Sequence, residues 1–293
     1  MAKPTIGFIG LGLMGSAMVE CLQANGYPLV VIANRSRGNV DAAIARGATE
    51  ATTSAELAAA SDIVMLCIDT SANVEARIYG DDGVLAGIRA GSIVIDFGTS
   101  IPASTLRIGA DLAAKGAGYL DAPLGRTPAH AKDGLLNIMC SGKLETFETA
   151  KPVLDVLGEN VFHLGELGTG HTIKLINNFF AMTTACAMSE AFAMADSAGI
   201  ERQAVYDVMS AGPLRSGMMD FVKAYAIDGG IDLAFSVNNA KKDLGYYNQM
   251  TEDLGTPSRM VGAAKGVLEA AAEAGRGDTM VPEMVDFLTA KKS

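Results

Sequence analysis

The chain has 293 residues, enough for two domains, and 49% of them are hydrophobic against 19% charged, a balance that excludes disorder as the main state. Lys and Arg total 23 against 33 Asp and Glu, a formal net charge of −10. A nucleic-acid binder neutralises phosphates with a basic face, so nucleic acid is not expected as a partner. The four cysteines (Cys21, Cys67, Cys140, Cys186) are far apart and the three histidines form no HExxH pattern. Neither a disulfide framework nor a metal site is expected, and reduced thiols point to a cytoplasmic protein. No signal-peptide pattern opens the sequence, and the most apolar long stretch, 179–200, is interrupted by Ser189, Glu190 and Asp196. That stretch reads as a buried helix, so no membrane association is expected.

In chain order, residues 5–9 are a short apolar run ending in Gly10 and predict a strand. A helix follows over 14–25, with Met14, Met18, Cys21 and Leu22 at helical spacing and Gly26 as its stop. Strands are predicted at 29–33, 63–68 and 92–96, a small helix at 40–46 closed by Gly47, and a helix at 102–115 with Pro102 at its start. Residues 119–120 lead into Asp121-Ala122-Pro123, and 135–140, 144–157 and 160–164 continue the alternation. Strands alternating with helices of about 10–15 residues imply βαβ units and a parallel sheet. After Gly170 no strand is expected, and helices are predicted over 171–198, 201–210, 218–226, 239–254, 257–274 and 282–291, separated by glycine and proline breakers.

The first strand runs into Gly10-Leu11-Gly12-Leu13-Met14-Gly15, a GxGxxG pattern between a strand and a helix. In that position Gly10 permits the tight turn, Gly12 lets backbone approach a pyrophosphate, and Gly15 lets the helix pack close to the strand. The helix N-terminus offers that anion unpaired N–H groups and a partial positive charge. The fold expected is therefore α/β: an N-terminal Rossmann-type doubly wound sheet, residues 1–164, binding a dinucleotide. An all-α C-terminal domain, 165–293, follows, beginning with a long interdomain helix and serving substrate binding and oligomerisation. After the second strand stands Asn34-Arg35-Ser36-Arg37, where NAD enzymes usually carry an acid for the ribose 2′-hydroxyl. A guanidinium grips a 2′-phosphate and Ser36 adds a donor, so NADP(H) is favoured, with NAD(H) possible. Arg35 and Arg37 as plain solvated charges is the alternative.

With further motifs the chain resembles the β-hydroxyacid dehydrogenases, the family of 3-hydroxyisobutyrate dehydrogenase and of tartronate semialdehyde, succinic semialdehyde and sulfolactaldehyde reductases. Four blocks carry the resemblance: Gly7-Phe8-Ile9 with the glycine turn and Met18; Asp121-Ala122-Pro123-Leu124-Gly125-Arg126-Thr127; Gly168-Thr169-Gly170-His171-Thr172-Ile173-Lys174-Leu175-Ile176-Asn177-Asn178; and Lys241-Lys242-Asp243-Leu244. Lys174 and Asn178, four apart on a helix, share a face. A carbonyl under reduction needs a proton as hydride arrives, and a lysine whose pKa is lowered in a dry pocket can supply it. The resemblance implies that Lys174 is the general acid/base and that Asn178 positions substrate, with Asn177 not excluded by spacing alone. Where the family pattern usually has Ser-Gly-Gly, this chain has Gly125-Arg126-Thr127, which is similar to the sulfolactaldehyde reductase loop. An arginine fork suits a sulfonate or carboxylate, whereas a salt bridge is the structural alternative for Arg126.

The resemblance further implies cofactor contacts at Leu66 and Cys67, where the family often has Leu-Pro, at Thr99, which could equally be a helix cap, and at Lys242. The function implied is hydride transfer between NADP(H) and a small β-hydroxy acid or semialdehyde, in a cleft between the two domains, by a homodimer or homotetramer with a small acidic substrate. An imine reductase-like enzyme or a non-catalytic NADP(H)-binding sensor is the alternative. Lys174 weighs against both.

Overall fold

The structure, a computed structural model, describes residues 2–34 and 37–290. It divides into two compact units, Met1–Lys174 and Leu175–Ser293. The first unit alternates strands and helices: β1 (Ile6–Ile9), α1 (Leu13–Ala24), β2 (Leu29–Val31), α2 (Gly38–Ala45), β3 (Thr49–Glu50), α3 (Ser54–Ala59), β4 (Ile63–Leu66), α4 (Ser71–Tyr79), α5 (Val84–Gly87), β5 (Ile93–Asp96), α6 (Pro102–Ala114) and β6 (Gly118–Asp121). These strands form one parallel sheet in the order β3-β2-β1-β4-β5-β6, so the chain reverses direction of growth between β1 and β4. That is the doubly wound arrangement expected, with its ligand crevice at the carboxyl ends of the strands beside the switch point.

The apolar runs explain why the sheet has two covered faces. Ile6, Phe8, Ile63, Met65, Ile93 and Ile95 enter one core with Met18 and Leu22 of α1, whereas Val64, Leu66 and Val94 enter another with Leu57 and Ile78. Alternate residues of each strand thus serve opposite faces, and both faces need apolar side chains.

A second, smaller sheet follows: β7 (Leu124–Gly125), α7 (Pro128–Lys132), β8 (Leu136–Cys140), α8 (Leu144–Leu157) and β9 (Gly158–His163). Here β7 pairs antiparallel with β8, and β8 parallel with β9. The sequence pattern predicts only parallel pairing; β7 is two residues long and leaves no periodic signal. Helices α3, α4, α5 and α7 are likewise additions. In α4 only Ser71, Val74 and Ile78 are buried, too few apolar positions for a visible stripe, and its start is set by the Thr70 hydroxyl accepting from Asn73 N.

The long helix α9 (Thr169–Ala198) leads into α10 (Arg202–Ser210), α11 (Gly217–Ala226), α12 (Val237–Asp253), α13 (Met260–Ala271) and α14 (Met284–Ala290). Two short non-α turns, Ala272–Arg276 and Val281–Glu283, separate α13 from α14, where helices over 257–274 and 282–291 were expected. Phe192, Leu244, Leu268 and Val285 are fully buried in the second unit's own core. No helix among the described residues is long and apolar enough to cross a membrane.

The first turn of α9 is tied down by one carboxylate. Asp121, fully buried at the end of β6, accepts from Gly168 N (2.8 Å) and Ser141 Oγ (2.5 Å) at Oδ1 and from His171 N (2.7 Å) at Oδ2. Ser141 Oγ in turn accepts from Gly170 N at 2.8 Å. Gly170 is required: a Cβ there would lie 2.3 Å from Met139 O and 2.9 Å from Asp121 Oδ2. Unpaired N–H groups at a helix start favour an anion, and burial removes the water that would compete. Asp121→Ala orphans three buried donors at once and is expected to cost roughly 3 kcal/mol or more. Thermal unfolding checks this: the first unit's transition falls by about 6 °C or more, and Asp121→Asn, which keeps an acceptor, by less.

Candidate functional site

Strand β1 ends in Gly10 at φ 100°, a conformation that glycine alone adopts without strain. A Cβ at Gly10 would stand 2.3 Å from Cys67 O, and one at Gly15 only 2.0 Å from Gly10 O. A Cβ at Gly12 would meet no protein atom within 4 Å. Gly10 and Gly15 are therefore demanded by the fold itself, whereas Gly12 keeps space open for a ligand. The space is real: Gly10, Leu11 and Gly12 line a cavity of about 610 Å³ together with Asn34 and Cys67. Gly12 caps α1 with no side-chain hydrogen bond, so the first-turn N–H groups face an incoming anion without a competing cap. Asn39 on α2 donates to Leu11 O at 2.8 Å and pins the turn from outside. The cavity, the open Gly12 and the uncapped helix start fit a dinucleotide pyrophosphate.

The other expected cofactor residues are spread around this turn. Leu13 is exposed, Met14 half-buried, and Leu66 fully buried in β4. Burial, with Asp96 nearby, pushes the Cys67 thiol up to about 12, so it stays protonated beside the cavity. Arg35 and Ser36 lie outside the described residues. Arg37 is taken up by acids: its guanidinium donates to both Glu50 carboxylate oxygens at 2.9 and 3.0 Å and to Asp41 at 3.0 Å. Asn73 and Arg77, four residues apart on α4, and Asp69 just before its cap also line the cavity and were not expected. Their spacing would have placed them on one face had α4 itself been visible in the sequence.

In the first unit the second and third motif blocks meet. Lys174 Nζ, on a half-buried side chain, donates to Leu124 O at 2.7 Å. Gly125 follows in β7, and Arg126 has φ 77°. The Arg126 guanidinium donates through Nη1 to Leu135 O at 2.7 Å and pairs with Glu159 through the same nitrogen. Thr127 Oγ1 and His130 Nδ1 share a 2.7 Å hydrogen bond. In the second unit the third block meets the fourth: Asn178 Nδ2 donates to Asp243 Oδ2 at 2.6 Å, Asn177 donates to Asn178 Oδ1 at 3.2 Å, and Lys242 pairs with Asp243 Oδ1 at 3.1 Å.

The first unit also holds a polar cluster that sequence reasoning missed. Asp96, at the end of β5, is fully buried and accepts from Gly98 N and Ser100 Oγ, both at 2.8 Å, which shapes the turn carrying half-buried Thr99. His171 is fully buried too; its Nδ1 shares a 2.7 Å hydrogen bond with Thr105 Oγ1, and its Nε2 stands 3.7 Å from Asp96 Oδ2. Burial, with Asp96 and Asp121 nearby, pushes the Tyr119 phenol well above its ordinary range. Only the two aspartates at strand ends were visible in the sequence, each as the last residue before a turn.

Two family models cover almost the whole chain: the NAD binding domain of 6-phosphogluconate dehydrogenase over residues 5–165, and the NAD-binding domain of NADP-dependent 3-hydroxyisobutyrate dehydrogenase over 168–288. The chain is 30% identical to 2-(hydroxymethyl)glutarate dehydrogenase of Eubacterium barkeri, over 93% of this chain and 90% of that one. It is 32% identical to 3-sulfolactaldehyde reductase of Escherichia coli, over 93% and 91%. Among solved structures, 3-hydroxyisobutyrate dehydrogenase of Mycobacterium tuberculosis with L-serine superposes with a TM-score of 0.88 at 25% identity, covering 98% of this chain and 99% of that one. With the glycine turn, the cavity at the sheet's switch point and the Lys174 contact already in place, these likenesses assign the chain to the NAD(P)-dependent β-hydroxyacid dehydrogenase family, oxidoreductases acting on a CH–OH group.

Proposed function

We propose that the protein transfers hydride between NADP(H) and a small acidic β-hydroxy acid or semialdehyde, with Lys174 as general acid/base. The observation that carries this reading is the placement of the Lys174 amine on Leu124 O, at the start of the Gly125-Arg126-Thr127 loop. An ammonium held at a loop carbonyl is oriented for proton exchange with a substrate oxygen. When bound, the nicotinamide supplies or takes the hydride. Lys174 gives a proton to the carbonyl oxygen in reduction and takes it from the hydroxyl in oxidation. Asn178, fixed by Asp243, orients the substrate.

The acid group of the substrate is assigned to Gly125, Arg126 and Thr127. The Arg126 contacts to Leu135 O and Glu159 both use Nη1, so the Nη2 and Nε donors can take a carboxylate or a sulfonate. The likeness to sulfolactaldehyde reductase supports an acidic substrate of this size. Cofactor contacts are assigned to residues 10–15, Asn34, Arg35, Ser36, Leu66, Cys67, Thr99 and Lys242. With Arg37 engaged by Glu50 and Asp41, the preference for a 2′-phosphate rests on Arg35 and Ser36, in a stretch without an acid.

Consumption of NADPH with succinic, tartronic and methylmalonic semialdehydes and sulfolactaldehyde tests the reading. Turnover with one of them supports it, and turnover with a cyclic imine alone overturns it in favour of an imine reductase. Lys174→Ala is expected to lower kcat by about 10²-fold or more with NADPH affinity kept. A retained rate refutes the acid/base role. Arg35→Ala weakens NADPH about tenfold more than NADH, measured by fluorescence titration; equal losses defeat the NADP preference. Arg126→Ala raises KM for the acidic substrate about tenfold, and an unchanged KM leaves Arg126 with only its structural pairing to Glu159.

A further inference from the structure

His171 is buried to zero exposure between two fully buried aspartates, and nothing in the proposed chemistry uses it. Its backbone N–H donates to Asp121 Oδ2 at 2.7 Å and its Nδ1 is bonded to Thr105 Oγ1 of α6 at 2.7 Å. Its Nε2 is buried without a hydrogen-bond partner, 3.7 Å from Asp96 Oδ2, and its Nδ1 is 3.9 Å from Asp121 Oδ2. A lone pair on Nε2 would face the Asp96 carboxylate, so the proton belongs on Nε2, aimed at that oxygen. A buried polar atom left unbonded is costly, and interiors retain one where the alternative arrangement matters.

What surrounds this ring gives it a task. Asp96 holds the Gly98–Ser100 turn through Gly98 N and Ser100 Oγ, and Thr99 sits in that turn. Asp121 holds the first turn of α9, and three residues further along β6's exit Leu124 O receives the Lys174 amine. His171 lies one helical turn before Lys174 on α9. On the helix that carries the amine, it stands 3.7 Å from Asp96, at the strand end before the Thr99 turn, and 3.9 Å from Asp121, at the strand end before the substrate loop.

We propose that His171 is a positioning residue for hydride transfer: through Nε2 toward Asp96 and Nδ1 toward Thr105, it sets the distance between the Thr99 turn and the turn of α9 that bears Lys174. The proposal rests on the assignment of Lys174 and Thr99 to the reaction. Misplacement of reacting groups by an ångström can cost about 10²-fold, so a small shift of this turn is read directly in rate.

Three variants test it. His171→Asn keeps only the nearer bond, to Thr105. His171→Gln has an amide long enough to reach both Thr105 and Asp96. Thr105→Val removes the hydroxyl that holds Nδ1. With the semialdehyde that turns over, kcat per NADPH-binding site falls about tenfold in His171→Asn and less in Thr105→Val, while NADPH Kd stays within about threefold. The primary isotope effect with deuterated NADPH rises in His171→Asn, and His171→Gln returns both quantities toward wild type. Hydrogen exchange on the protein without cofactor gives a readout independent of turnover: protection at Gly98 and Ser100 falls together with protection over 168–172 in His171→Asn. The proposal is overturned if Asn and Gln behave alike, if kcat per binding site is unchanged, or if exchange at 97–100 does not move. Lys174→Ala in the same assay separates the two layers. A Lys174→Ala protein with normal kcat defeats the acid/base assignment itself, whereas a dead Lys174→Ala beside a normal His171→Asn defeats only the positioning role.

Discussion

The Asp121 carboxylate is the constraint on which the rest of the first unit's chemistry depends. Two of its three donors are backbone N–H groups at the start of α9, and the third is Ser141, which itself caps Gly170. No side chain other than a short acid could reach all of them from the end of β6. The cost of burying a carboxylate is offset by charge-assisted hydrogen bonds and by the helix dipole. The result is a helix whose first turns are fixed against the carboxyl end of the sheet, where a dinucleotide fold presents its ligand. Lys174 inherits that precision because it lies within two turns of the cap.

The parts of this arrangement that the sequence made legible are those with local causes. Gly10 and Gly15 are read correctly as turn and packing glycines because each has a steric reason within a few residues or one neighbouring strand. Strands β1, β2, β4 and β5 are legible as short apolar runs between helices. The long helix on which Lys174 and Asn178 stand four residues apart is legible because helical spacing is a local rule. By contrast, α4 hides behind polar residues, and with it the Asp69, Asn73 and Arg77 side of the cavity. The antiparallel β7–β8 pairing depends on two residues. His171 could not be distinguished from His130 or His163 by spacing, because its surroundings come from β5, β6 and α6 at once.

Arg37 shows the same limit from the opposite side. Two arginines in one short stretch both look suited to a phosphate, and only the fold reveals that Glu50, brought alongside on β3, holds one of them. Charges on an edge strand pair with whatever the neighbouring loop presents, and sequence distance carries no information about that. Under the proposed NADP(H) preference, recognition of a 2′-phosphate then concentrates on fewer groups than the run of residues suggests.

The backbone of Arg126 sets two demands on the loop against each other. In the common family pattern a glycine occupies the middle of the loop, and here an arginine stands there in the left-handed region, at a cost of about 1 kcal/mol. Reversion to glycine at this position would relax the chain and lose the guanidinium in one step. Under the proposed role, the stability of the loop and its grip on an acidic ligand thus pull on one residue in opposite directions.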